Sequence, residues 1–187
     1  MQSNQKKYIE YAKAFSEDRK CPIRLGGSFS HGTSTPYSDV DIRVQCEEEM
    51  LRDLIYGYGK PIFLSSTTNP PGILIVIYED GVALDLEVPA HDETICQKFV
   101  LRNDPPYQTA RLFHRSLIKY LSGKREIGVS VANEIEDYLH IDATITEENY
   151  KDGIVSLLNQ FAKQYPLPEQ YHTLLQELTE EIGRKES

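Results

Sequence analysis

The chain lacks an excess of positive charge, lacks long apolar runs and has few cysteines, and each shortage narrows what it can be. Its 20 lysines and arginines are outnumbered by 29 aspartates and glutamates, a formal net charge of −9. An acidic surface repels a phosphate backbone, so nucleic acid is not the expected partner. A cationic small molecule or a basic protein patch suits the charge better. No segment approaches the roughly 20 apolar residues that span a bilayer, so no membrane association is expected. The amino-terminal MQSNQKKYIEYAKAF lacks the apolar run of a secretory signal, which makes the cytoplasm the expected location. The three cysteines, Cys21, Cys46 and Cys96, fit no zinc spacing and read as reduced, structural residues. His91, His114, His140 and His172 show no ligand spacing either. Internal repeats and low-complexity linkers are also missing.

What is present supports a folded core: 187 residues, 40% of them hydrophobic. Tyr8, Tyr11, Ala12 and Phe15 recur at helical spacing and predict a helix over 4–19. CPIRLGG reads as a strand running into a turn, followed by a short helix, FSHG, with Ser28 at its start. DVDIRVQC alternates as a strand, and EEEMLRDLIYGY reads as a helix with acids in its first turn. PIFLSS, ILIVIY and VALDLEV are strand candidates, and Asp80-Gly81 predicts a hairpin that makes the last two antiparallel. After Pro105-Pro106 the texture turns helical: YQTARLFHRSLIKYLSG, VANEIEDYLH, TEENYKDGIVSLLNQFAKQY and PEQYHTLLQELTEEI. Thr146 is the expected N-cap of the third of these, and Pro168 suits the first turn of the fourth. The expectation is an α+β protein: a mixed-sheet core with flanking helices over 1–104 and a helical bundle over 105–187.

The chemistry concentrates in LGGSFSHGTSTPYSDVDIRV, residues 25–44. Side chains alternate along a strand, so Asp39 and Asp41 share one face, about 6.6 Å apart along the chain. Two such carboxylates repel unless a cation neutralises them, and Mg²⁺ favours carboxylate and phosphate oxygens. Asp85 and Glu87 share a face of VALDLEV, and either completes the group if the two strands are neighbours. Gly26 and Gly27 permit close backbone approach, and Ser28 at a helix start offers a hydroxyl and free N–H groups to an anion. A phosphate held there, beside a metal on the aspartates, describes a nucleoside triphosphate site.

Gly27-Ser28, ten intervening residues and then Asp39-Val40-Asp41 resembles the signature of the DNA polymerase beta-like nucleotidyltransferase superfamily. The resemblance spans roughly 23–90 and includes GTSTPYSD before the first acid. LDLEVPAHDE looks most like the small antibiotic nucleotidyltransferases, the aminoglycoside and lincosamide modifiers. The resemblance implies that an acceptor hydroxyl attacks the α-phosphorus of a triphosphate, ATP being the expected one, and pyrophosphate leaves. Asp39, Asp41 and Asp85 would then hold Mg²⁺, while Gly27 and Ser28 hold the β- and γ-phosphates. Asp85 either completes a metal site or takes the acceptor proton, with Glu87 the competing base. Relatives often carry a basic residue where His31 stands, so His31 is either a phosphate contact or a structural residue. Arg111, Arg115 and Lys119 recur every four residues, share a helix face and are candidates to supply the missing cations.

Three functions compete on these grounds. The first is a metal-dependent nucleotidyltransferase acting on a small-molecule hydroxyl, as a monomer or homodimer, with an aminoglycoside or lincosamide as the favoured acceptor. The second keeps the chemistry and changes the acceptor to a protein or RNA. The third is a nucleotide-binding module with a degraded site, which the presence of every expected acid disfavours.

Overall fold

The structure is a computed structural model that describes residues 2–68, 70–100, 102, 104–141 and 144–186. The chain divides into two compact units, Met1–Asn103 and Asp104–Ser187. The described residues form an α+β protein with one five-stranded mixed sheet and eight α-helices.

The first unit runs α1 (Gln2–Arg19), β1 (Ile23–Leu25), α2 (Gly27–Ser30), β2 (Val40–Val44), α3 (Glu48–Tyr58), β3 (Pro61–Thr68), β4 (Pro71–Tyr78), β5 (Ala83–Glu87) and α4 (Glu93–Gln97). A single 3₁₀ turn at Pro89–His91 separates β5 from α4. The sheet order is β1-β2-β5-β4-β3. Every neighbouring pair is antiparallel except β2 and β5, which run parallel. The Asp80-Gly81 hairpin joins β4 to β5: Gly81 N–H donates to the Tyr78 carbonyl at 3.0 Å, and Tyr78 N–H to the Val82 carbonyl at 2.9 Å.

The alternation in β2 decides which face of the sheet is buried. Val40, Ile42 and Val44 are buried, with Leu84 and Leu86 of β5 and Leu74 and Val76 of β4. They pack with Tyr8 and Ala12 of α1 and with Leu51, Leu54 and Ile55 of α3. A tyrosine cluster closes this core: the Tyr8 ring lies 4.8 Å from Tyr58 and 6.0 Å from Tyr78, and the Tyr78 hydroxyl donates to the Ile55 carbonyl at 2.8 Å. The polar residues of β2 are thereby left on the other face.

The second unit contains α5 (Pro105–Leu121), α6 (Arg125–Leu139), α7 (Tyr150–Gln164) and α8 (Glu169–Glu186). Asp104 caps α5, its side chain accepting from Tyr107 N–H at 3.2 Å. Three sequence expectations need correction here. Helix α6 begins at Arg125, not at Val131, because Gly128 is a packing residue and not a break. A Cβ at Gly128 would stand 2.8 Å from Tyr120 Cβ and 2.9 Å from the Ser116 carbonyl. Ser116 in turn donates its hydroxyl to the Gly128 carbonyl at 2.7 Å. Thr146 does not cap α7: the cap residue is Asn149, whose side-chain oxygen accepts from Thr146 N–H at 2.7 Å. Pro168 precedes α8 and supplies the first carbonyl, accepting from His172 N–H at 2.9 Å.

Candidate functional site

On the sheet face turned away from α1 and α3, strand pairing sorts the polar residues into rows. Asp41 of β2 is the Cα partner of Asp85 of β5, and Asp85 is that of Ile75 of β4. Gly26 N–H donates to the Asp41 carbonyl at 2.9 Å, so Gly26 occupies the β1 end of this row. Two residues along, about 6.6 Å away, the next row reads Arg24, Arg43, Glu87 and Ile73 across β1, β2, β5 and β4. Asp39 lies just before β2, at the opposite end from Arg43. A cavity of about 310 Å³ opens over these two rows, lined by Arg24, Gly26, Asp41, Arg43, Asp85 and Glu87, with Leu25, Ile42 and Ile73 beside them.

Parallel neighbours lie about 4.8 Å apart, so Asp41 and Asp85 stand side by side, both half-buried. Like charges directly opposite each other on adjacent strands are destabilising unless neutralised. The backbone of Gly27 presses onto the same group. With φ +51°, Gly27 occupies the left-handed region, and a Cβ there would stand 1.7 Å from Asp41 Oδ2. Glycine is therefore needed twice at this position, for its dihedral and for the space the carboxylate fills.

Helix α2 starts at Gly27, two residues earlier than FSHG implies, which draws Ser28 into its first turn and puts His31 at its end. The Gly27 carbonyl gathers this turn. His31 Nδ1 lies 2.7 Å from it, and Ser30 donates its hydroxyl to it at 2.9 Å. A carbonyl only accepts, so Nδ1 carries the proton and Nε2 is left to the solvent side. Thr33 N–H closes on the Ser28 carbonyl at 2.9 Å.

Glu87 stands in a different setting from Asp85. Arg43 grips it with two bonds, Nε to Oε1 and Nη2 to Oε2, both 2.8 Å. His91 Nε2 adds a contact to Oε1 at 3.2 Å. The pairing with Glu87 holds the Arg43 guanidinium above its ordinary pKa. Reading the sequence did not find Arg43 and His91 as partners of Glu87. The signal was there in part: alternation puts Arg43 on the face of Asp39 and Asp41, and aligning Asp41 with Asp85 aligns Arg43 with Glu87. Arg24 was also missed, because β1 is only three residues long and a single polar residue between Ile23 and Leu25 is too short an alternation to mark a face.

Arg111 and Arg115 lie one turn apart on α5, with Lys119 a further turn along, all in the second unit. Larger grooves exist elsewhere. One of about 890 Å³ runs along α1 and α3 on the opposite face of the sheet, where Arg19 pairs with both Asp18 and Asp53. It has no carboxylates in cross-strand register, so the smaller cavity is the better chemical candidate.

Among the described residues, no group of three or more His, Cys, Asp or Glu side chains is arranged to hold a metal ion. The Asp41–Asp85 pair nevertheless suits Mg²⁺, which is held by one or two carboxylates together with substrate phosphates rather than by an all-protein cage. An all-oxygen donor set and two adjacent like charges both fit a hard divalent cation. No helix among the described residues is long and apolar enough to cross a membrane. No protein-family model matches the chain, and no curated protein is significantly similar to it.

Proposed function

We propose that the protein is a metal-dependent nucleotidyltransferase that moves a nucleoside monophosphate from a triphosphate, ATP in the first instance, to a hydroxyl of a small molecule. The observation that carries this reading is the register of Asp41 with Asp85 across β2 and β5, under a Gly27 backbone packed onto the Asp41 carboxylate. Asp39, Asp41 and Asp85 are the residues that would hold Mg²⁺, and the ion would neutralise charge on the phosphates and on the carboxylates. The backbone of Gly27 and the Ser28 hydroxyl receive the β- and γ-phosphates. The acceptor oxygen forms a bond to the α-phosphorus, the bond from that phosphorus to the β-phosphate oxygen breaks, and pyrophosphate leaves. Catalysis of this kind rests mostly on positioning and charge stabilisation.

The acceptor proton goes to Asp85 in this scheme. Glu87 is the weaker candidate, since Arg43 and His91 already occupy both its oxygens. His31 serves the turn through its bond to the Gly27 carbonyl, and its Nε2 would donate to a phosphate only if it too carried a proton. Arg111 and Arg115 remain candidate phosphate cations on the strength of their spacing alone. The aminoglycoside or lincosamide acceptor follows from the sequence resemblance.

The experiment is pyrophosphate release with Mg²⁺ and each of the four ribonucleoside triphosphates, against aminoglycosides, lincosamides and a cell lysate, with Asp41→Asn as control. Release that needs an acceptor and disappears in Asp41→Asn supports the reading. Nucleotide binding without release under any condition refutes it.

A further inference from the structure

The β1–β2 ladder extends past both strands toward two cysteines. Its partners are Leu25 with Ile42, Arg24 with Arg43 and Ile23 with Val44. Gln45 N–H then donates to the Pro22 carbonyl at 3.0 Å. One further step sets Cys21 opposite Cys46. Antiparallel pairs alternate between bonded and non-bonded types, and the bonds at Gly26/Asp41 and Pro22/Gln45 assign Cys21 and Cys46 to the non-bonded type. Facing Cα atoms in such pairs are about 4.5 Å apart, at the near end of the roughly 4.4–6.8 Å range that a disulfide spans. The Cys46 thiol lies close enough to interact with that of Cys21, and neither is in a disulfide. Cys21 is buried while Cys46 is partly open to solvent, and β1 is an edge strand, so an oxidant reaches Cys46 first. Cys96, the third cysteine, is buried in α4.

We propose that Cys21 and Cys46 form a site of oxidative modification, closing to a disulfide at the expense of a low-molecular-weight disulfide. The Cys46 thiolate attacks one sulfur of the small disulfide, whose S–S bond breaks to release one small thiol. Cys21 then loses its proton and attacks Cys46 Sγ, releasing the second small thiol. Two protein thiols are oxidised to one disulfide, and one small disulfide is reduced to two thiols that carry the protons away. Burial pushes the Cys46 thiol up to about 12, so the reaction is slow near neutrality. The loop it closes contains Gly27, Ser28, Asp39 and Asp41, so oxidation fastens both ends of the segment that builds the candidate site. The pair stands whether or not that site transfers nucleotides.

The test incubates the full chain with glutathione disulfide at about pH 9, then alkylates it in denaturant. Free thiols should fall from three to one, and digestion should join CPIR to VQCEEEMLR through a bond that dithiothreitol breaks. The melting midpoint of the oxidised chain should rise by roughly ten degrees, since the cross-link restricts the unfolded chain. Cys21→Ser should stop at a glutathione adduct on Cys46. A wild-type chain that also stops at that adduct, keeps all three thiols, or links either residue to Cys96 or to a second chain would overturn the proposal.

Discussion

Gly27→Ala is the perturbation whose cost can be worked most fully from the geometry. Alanine at φ +51° pays the left-handed backbone penalty, about 1–2 kcal/mol. Its Cβ also falls 1.7 Å from Asp41 Oδ2 and 2.5 Å from Cγ. Carbon contacts are comfortable near 3.5 Å, so the carboxylate has to move by about 2 Å. Turning that side chain off its rotamer adds about 1 kcal/mol. The sum, about 2–3 kcal/mol, lowers the melting midpoint of a unit this size by roughly 10–20 °C. Circular dichroism melts measure this directly. Asp41→Ala supplies the decisive background, because it removes Oδ2 and Cγ and leaves only a Cβ at 3.3 Å. In that background Gly27→Ala should cost only the backbone part, giving a coupling of about 1 kcal/mol. Pyrophosphate release by Gly27→Ala alone should fall at least a hundredfold, since misplacement by about 1 Å can cost that much. Equal destabilisation in both backgrounds, or none in either, would refute the packing of Gly27 on Asp41.

Asp85→Asn should lower turnover by about 10²–10⁴-fold if Asp85 takes the acceptor proton, while Glu87→Gln should retain turnover within a few-fold; steady-state kinetics of the two variants rank them, and the opposite ranking moves the base to Glu87. Gly128→Ala should destabilise the second unit by about 1–3 kcal/mol in urea denaturation, because the added methyl meets the α5 backbone at 2.9 Å. Asp92 caps α4, accepting from Thr94 N–H at 2.8 Å, and its bond to the Thr94 hydroxyl holds its carboxyl below the usual range. Its stabilisation is therefore present above the ordinary carboxylate pKa, about 3.9, and is lost as pH falls through the lower folded value. The stability gap between wild type and Asp92→Ala, followed by thermal melts, should narrow as the solution is acidified and stay constant above about pH 6.

Local pattern is readable in this chain where one strand or turn is enough to express it. The alternation of Val40, Ile42 and Val44 against Asp41 and Arg43 appears in the burial of β2, and Asp80-Gly81 turns as its type suggests. Strand order is another matter. β2 and β5 are separated in sequence by α3, β3 and β4, and a parallel pairing across such a crossover leaves no local mark. The side-by-side placement of Asp41 and Asp85, and the Arg43–Glu87–His91 contacts two residues along, come only with that pairing. Glycines were ambiguous for a related reason. Gly27 reads as a turn residue that permits close backbone approach and Gly128 carries no signal of its own, yet each is small because another group fills the space of its Cβ, the Asp41 carboxylate in one case and the α5 backbone in the other. Thr146 reads as a cap by type, but the helix starts after Asn149, whose type ranks higher as a cap.

The most direct measurement of the central claim is transfer of label from ATP carrying radiophosphorus at either the α or the γ position, in the presence of Mg²⁺ and an acceptor that supports pyrophosphate release. The account predicts that α-label moves to the acceptor, that γ-label leaves in pyrophosphate, and that Asp41→Asn does neither while melting like a folded protein. Transfer of γ-label to the acceptor, or undiminished α-transfer by Asp41→Asn, would contradict it.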